Sequence, residues 1–464
     1  RRKRCGTYSW ESRYLGAKKL MKKIFFIGIN GIGMSGLAKI MAKKGYEVYG
    51  SDLKVGPKIA EFKAMGITAY AEHKEEHVEG MDSVIRSSAI QESNPEYKRA
   101  LELGLHIIKR GELLAQLMND EEGVAIAGTH GKTTTSSMLS VASLSIDPKI
   151  VVGGIIPEIN SNAHAGDNSM FIAEADESDN SFLYIHPKYS VITNIEEDHM
   201  ENHGTFQNIK NSFVQFMDQT EKEIIVNIDC PTVRELIVDR KNIITYSTRT
   251  ENADIYAKNI TVDGLKTKYE IFINGKSLGE IKLTIPGEHN VSNSLPVVYL
   301  ALKFGVELEE LKDKLSHFKG ARRRFDVLLD DGVQIIDDYA HHPTEILATV
   351  KAAKERCTTK LIAIFQPHRY SRVKFLFDRF EGVFDLADEI MLLPTYAAGE
   401  KDEFGISMQD LAEKIRPGKV KLVHNSDEIL DKIKEKNEAG MYLFMGAGDI
   451  SGMAHNIAKV LEKR

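Results

Sequence analysis

Short apolar runs recur along the chain, each followed by a turn and then a longer stretch with helical spacing. The first run is Lys23–Gly28, with a helix expected over Met34–Lys44 and further strands at Glu47–Gly50 and Ser83–Arg86. A second series opens with Val124–Ala127 and a helix from Lys132 to about Leu144. It continues through strands at Lys149–Val152, Met170–Glu174 and Tyr189–Thr193. This alternation predicts parallel sheets with crossover helices. Between Ala253 and Pro286 the pattern changes to β-rich runs broken at Asp263-Gly264 and Asn274-Gly275, which are tight-turn dipeptides of an antiparallel excursion. A helix is expected to run to Phe304, and Asn290 and Asn293, on one of its faces, either cap its start or contact a ligand. A third series then carries strands at Val333–Asp338, Leu361–Gln366, Glu389–Leu393, Val420–Val423 and Met441–Met445.

The breaks between these series set the expected domains. Polar residues 119–122 and the arginine-rich stretch at 320–325 divide the chain into 21–118, 119–319 and 320–464. The fold class expected is α/β, with a Rossmann-like N-terminal domain, a central P-loop ATPase-like domain and a Rossmann-like C-terminal domain. Residues 1–20 hold seven Lys/Arg against one Glu and the only Trp, without an apolar core, and are read as an extension outside the fold. With them the net charge is −6, and without them it is −12. That balance argues against nucleic acid as the main partner, and no apolar run is long enough for a bilayer. Three scattered cysteines with no C-x-x-C pair point to a reducing cytoplasm.

The chemistry concentrates at strand ends. Gly128-Thr129-His130-Gly131 follows an apolar strand and precedes Lys132-Thr133 at a helix start, as a phosphate-binding loop requires. A strict Walker A motif has glycine where this chain has Ile126. Lys132 is expected to be an exposed loop lysine. Gly31, Gly33 and Gly36 satisfy G-x-G-x-x-G, with Asp52 at the end of the next strand. This fits a dinucleotide dehydrogenase, or more generally a glycine loop around a nucleotide diphosphate. Glu174 and His199 end successive strands and are expected to converge on Lys132 and Thr133 around Mg²⁺, the alternative being a solvated acidic loop. Arginines 322–324 are either a solvated basic turn or a source of charge for a phosphoryl group. Arg369 and Arg372 are placed to grip a small carboxylate or to serve in interdomain pairing.

Together these motifs resemble the Mur ligases, the ATP-dependent amide ligases of peptidoglycan precursor synthesis. The residues that carry the resemblance are Gly-Thr-His-Gly-Lys-Thr (128–133), Glu-Ala-Asp-Glu-Ser-Asp (174–179), Glu-Asp-His (197–199), His-Asn-x-x-Asn (289–293), Arg-Arg-Phe (323–325) and Asp-Asp-Tyr-Ala-His-His-Pro (337–343). The loop at 28–36 and the Gln-Pro-His-Arg-Tyr cluster at 366–370 are most similar to the branch that joins L-alanine to UDP-N-acetylmuramate. Asn30 stands where that branch usually has glycine. Asn211–Val214 lacks the lysine that other branches carbamylate, as does the alanine-adding branch.

The resemblance implies that Gly128, Thr129, His130, Gly131, Lys132, Thr133 and Thr134, with His289, Asn290, Arg324, Asp338 and Tyr339, bind ATP. It implies that Thr133, Glu174 and His199 hold Mg²⁺ (two ions, with Mn²⁺ as a substitute), and that Lys132, Glu174, His199 and Arg324 are catalytic. Gly28, Asn30, Gly31, Ile32, Gly33, Met34, Ser35, Asp52, Ser87, Ser88 and Arg110 would hold UDP-N-acetylmuramate. His341, His368, Arg369 and Arg372 would position L-alanine. The reaction implied passes through an acyl phosphate, in a cytoplasmic monomer or homodimer. A tripeptide-recycling ligase of the same family, a regulatory P-loop ATPase and an NAD-dependent dehydrogenase are the alternatives.

Overall fold

The computed structural model describes residues 22–462 apart from 54–57, 88, 179, 264–265 and 437–438. The extension at 1–20, the Ser88 and Asp179 positions and the turn at Gly264 therefore lie outside the described residues.

The first series folds into a five-stranded parallel sheet in the order Thr68–Tyr70, Glu47–Ser51, Lys23–Ile27, Ser83–Arg86, His106–Lys109. Phe25, Phe26 and Ile27 are fully buried, which explains the unbroken apolar run of a strand covered on both faces. The outer strands Thr68–Tyr70 and His106–Lys109 are short and carry little apolar signal, so periodicity does not reveal them. The sheet order reverses between Lys23–Ile27 and Ser83–Arg86, and the glycine loop leaves the former at that crevice.

The central sheet has ten strands, ordered Lys276–Leu283, Lys266–Ile273, Ile255–Asp263, Ile243–Ser247, Glu223–Asn227, Tyr189–Ile192, Glu122–Ala127, Met170–Glu174, Lys149–Ile156, Ser161–Ala165. Its middle is parallel and both ends are antiparallel. Asn274 and Gly275 both adopt positive φ, as the predicted hairpin turn demands. The strand that feeds the phosphate loop lies between Tyr189–Ile192 and Met170–Glu174, so the residues following both neighbours flank the loop.

The capping alternative for Asn290 fails here. The helix Glu288–Lys303 is capped by Gly287 at φ 100° with no side-chain cap. Asn290 sits inside the first turn and donates to the Pro286 carbonyl at 2.6 Å instead.

The C-terminal sheet runs Asp326–Asp331, Val333–Asp338, Gly440–Met445, Lys360–Phe365, Glu389–Leu392, Val420–Leu422, with only the first strand antiparallel. The N-terminal body docks through helix Ile32–Lys43 onto the hairpin of Lys149–Ile156 and Ser161–Ala165. Lys39 Nζ donates to Ser161 Oγ at 3.0 Å, and Asn162 Nδ2 donates to the Ile32 carbonyl at 2.6 Å. A Cβ on Gly36 would stand 3.0 Å from Ala163 Cβ, so the third glycine of the fingerprint serves this docking contact. Among the described residues, no helix is long and apolar enough to cross a membrane.

Candidate active site

The phosphate loop is shaped by two glycines and pinned by the strand beside it. Gly128 takes φ 133° and Gly131 φ 84°, and Gly131 is the N-cap of helix Lys132–Ala142. The His130 N–H donates to Asn194 Oδ1 at 2.9 Å, and Thr193 Oγ1 donates to the His130 carbonyl at 2.6 Å. The amides at this helix start make a site suited to anions.

Lys132 is not the exposed lysine expected from sequence. Its side chain is 17% exposed, and its ammonium lies 2.8 Å from Glu177 Oε1 and donates to the Gly128 and Thr129 carbonyls. Burial opposes its charge, but Glu177 and Asp176 outweigh burial and raise its pKa. Burial holds the Glu177 carboxyl above its ordinary range.

The hydroxyl of Thr133 donates to Glu174 Oε2 at 3.1 Å, while Ser136 Oγ and the Gly153 N–H donate to Oε1 at 3.0 and 2.6 Å. A threonine hydroxyl beside a carboxylate at a helix start is an oxygen set that suits a hard cation such as Mg²⁺. His199 occupies the N-cap of Met200–His203 with φ 53° and lies 3.6 Å from Asp198.

A different trio, His130, Glu196 and His342, also draws ligand-type atoms within 4.8 Å of one another. Protein groups already serve it. Glu196 Oε2 accepts from Thr344 Oγ1 at 2.7 Å and from Arg379 Nη2 at 3.0 Å, and His342 Nε2 donates to the Glu197 carbonyl at 3.2 Å.

Two adjoining cavities open between the central and C-terminal bodies. One of about 170 Å³ is lined by His130, Gly131, Thr134, His289, Asn290, Asn293, Arg324, Asp338 and Glu345. The other, about 700 Å³, reaches from His289 and Asn293 towards Asp229, Arg249 and Lys351. Burial and Lys351 push His289 down to about 4, so it is neutral. Asp338 accepts from the Phe325 and Ala340 N–H groups at 2.7 and 2.8 Å, which holds the interdomain turn. Burial raises its carboxyl to about 6. Arg323 and Arg324 face the Tyr339 ring, with guanidinium carbons 4.8 and 5.1 Å from its centroid.

Family models match the chain in three consecutive blocks: "Mur ligase family, catalytic domain" over residues 23–122, "Mur ligase middle domain" over 126–301 and "Mur ligase, glutamate ligase domain" over 323–448. A UDP-N-acetylmuramate–L-alanine ligase of Fusobacterium nucleatum is 54% identical over 96% of this chain and 98% of its own. The protein of that name from Hydrogenobaculum is 40% identical over 95% and 99%. The crystal structure of the UDP-N-acetylmuramate–alanine ligase of Thermotoga maritima superposes with a TM-score of 0.79 at 29% identity, covering 95% of this chain and 99% of that one. The chain belongs to the Mur ligase family.

Mur ligase membership replaces the dehydrogenase reading of residues 31–36. The Asp52 carboxylate accepts from the Asn30 N–H at 3.1 Å and so holds the glycine loop. Lys58 donates to the Asn30 carbonyl at 2.9 Å and to Ser35 Oγ at 3.2 Å, a cation beside the loop that no motif announced. Burial lowers its pKa. A Cβ on Gly28 would stand 3.4 Å from Ser87 Cβ, and one on Gly33 would stand 3.2 Å from Arg110 Cδ. Ser87 and Arg110 line a cavity of about 220 Å³ with Arg86, Lys109, Gly111, Ser181 and Tyr184.

On the C-terminal side, His341 and His368 meet edge to face at 5.9 Å, and Arg372 Nη1 donates to His368 Nδ1 at 3.0 Å. Arg372 also pairs with Asp198 across the domain boundary at 3.2 Å. Arg369, at φ 67°, lies 3.6 Å from Glu400. Burial and Arg372 push His341 down to about 3. The sequence motifs did not single out Glu177, Glu196, Asp198 and Glu345, although Glu177 and Asp198 lie inside them and Glu196 directly precedes Glu-Asp-His (197–199). Glu345 carried only a capping-box spacing from His342.

Proposed function

We propose that this Mur ligase joins L-alanine to the carboxylate of UDP-N-acetylmuramate at the expense of ATP, releasing ADP and phosphate. The observation that carries the reading is one convergence. The phosphate loop bearing Lys132 and Thr133 is tied through Glu345 to His341 of the C-terminal cluster, and the glycine-loop domain that carries Arg110 docks on the same central body. The relatives named above, similar over nearly their whole length, supply the substrates.

A carboxylate is a poor acyl electrophile, so the γ-phosphoryl group moves first to the sugar's carboxylate oxygen, and ADP leaves. The amine nitrogen of alanine then attacks the acyl phosphate. The C–O bond to phosphate breaks, the nitrogen loses its proton, and an amide remains. Lys132, the loop amides and Arg324 bring two anions together by position and charge. Thr133 and Glu174, with His199, would hold Mg²⁺, which supplies further positive charge to the phosphate oxygens. His289, Asn290, Asp338 and Tyr339 are assigned to ATP, residues 28–35 with Asp52, Ser87 and Arg110 to UDP-N-acetylmuramate, and His341, His368, Arg369 and Arg372 to alanine. The C-terminal body shields the acyl phosphate from water. The reading places the enzyme in the cytoplasm.

Phosphate release with L-alanine, glycine, L-serine and the recycled tripeptide as acceptors tests the proposal. Release is expected only when ATP, UDP-N-acetylmuramate and an acceptor are all present, with L-alanine the best acceptor. Hydrolysis without the sugar nucleotide, or preference for the tripeptide, overturns it.

A further inference from the structure

Glu345 stands in the first turn of helix Pro343–Arg356 with a side chain 13% exposed, and its two oxygens face different ways. Oε2 accepts from the His341 N–H at 3.2 Å and the His342 N–H at 3.5 Å, and the His341 ring lies 3.5 Å away. This side is an ordinary capping box, which a neutral glutamine would also make.

Oε1 does something a cap does not require. It lies 3.2 Å from His130 Nδ1 on the phosphate loop and 3.8 Å from Arg324 Nη1 at the interdomain turn. One carboxylate thus bridges two cationic groups facing the nucleotide cavity and a histidine of the amino-acid cluster. Burial opposes its ionisation, but His341, His130 and Arg324 outweigh burial and hold the carboxyl well below the usual range. His130 is pushed the other way, to about 9, because Glu196 and Glu345 outweigh its burial. The bridge is therefore a charged one, with hydrogen bonds stronger than neutral ones.

We propose that Glu345 is a positioning residue that locks the phosphate loop, Arg324 and His341 into one unit, so that ATP and L-alanine are both bound better while its carboxylate is present. The inference rests on the ligase reading above, through the substrates assigned to its three neighbours. Glu345 itself touches no reacting atom. It acts through His130 and Arg324 on one side and His341 on the other. Glu345→Gln keeps the capping acceptor but turns its amide NH2 towards two donors.

The test is steady-state kinetics on the full-length protein with each of the three substrates varied in turn. Glu345→Gln is expected to raise KM for ATP and for L-alanine by about ten-fold each, the scale of one lost charge-assisted contact, while KM for UDP-N-acetylmuramate stays within about two-fold. Glu345→Asp, which keeps the charge, is expected to recover part of both losses at any given loss of melting temperature. A rise confined to one substrate, an equal rise for all three, or no rise would overturn the proposal. So would Asp and Gln variants that behave alike. Wild-type protein that releases no phosphate with L-alanine would fail the ligase reading itself, and this inference with it.

Discussion

The Arg372 guanidinium lies 3.2 Å from the Asp198 carboxylate, joining helix Tyr370–Phe375 of the C-terminal body to the strand-end segment of the central sheet. The two side chains are 6% and 8% exposed, and although burial opposes its charge, Arg372 holds the Asp198 carboxyl well below the usual range. Removing one partner of such a pair leaves the other charge buried. Arg372→Ala is expected to lower stability by about 3–5 kcal/mol, and Arg372→Met with Asp198→Leu by much less. Urea unfolding of both variants checks this, and equal losses would refute the pairing argument.

Lys132 and Glu177 make a similar prediction inside the phosphate loop. Lys132→Ala should abolish ligation, by roughly a hundred-fold or more, because a preorganised charge on the phosphates is lost. It should also destabilise the protein, since Glu177 then remains buried without its ammonium partner. Lys132→Ala combined with Glu177→Gln is expected to restore the melting temperature and leave activity absent. A stable single variant would show that the pair contributes little to the fold.

Gly36 sets how closely the N-terminal body approaches the central one. A valine there would press on Ala163 and Asn162, and overpacking of this kind costs about 1–3 kcal/mol. The expected result is a raised KM for UDP-N-acetylmuramate with little change in the KM for ATP. Parallel increases in both constants would count against a local effect.

The histidines give the pH dependence of stability a sign on each side. His130 has a folded pKa of about 9 against an ordinary value of 6.5, so its contribution is full below pH 6.5 and is lost as pH rises through 9. His289, His341, His342 and His368 are held by burial at about 4, 3, 4 and 4, so the fold resists their protonation. Stability therefore falls as pH drops from 6.5 towards 4. The melting temperature is expected to peak near pH 6.5 and fall on both sides. His130→Asn should flatten the alkaline limb, and an unchanged limb would remove His130 as its source.

The fold was legible where the chain repeats strand, turn and helix, because strands buried on both faces must be apolar throughout. It was illegible at strands such as Thr68–Tyr70 and at the antiparallel Asp326–Asp331, whose sequence Asp-Val-Leu-Leu-Asp-Asp carries half its residues as carboxylates. The phosphate loop could be read because glycine spacing and a following lysine are local. Glu345 could not, because its partners lie 215, 21 and four positions away and only folding brings them together. The burial of Lys132 escaped for the same reason, since Glu177 is 45 residues on.

A Cβ on Gly128 would lie 2.0 Å from Thr193 Oγ1, and one on Gly131 would lie 2.6 Å from Asn293 Oδ1, each at a positive φ that side chains avoid. No other residue fits either position without moving the neighbouring strand or helix. An inhibitor built to bind the main-chain N–H groups of these two glycines would therefore rest on atoms that a point substitution cannot take away. Resistance to it would have to arise elsewhere in the protein or through its supply.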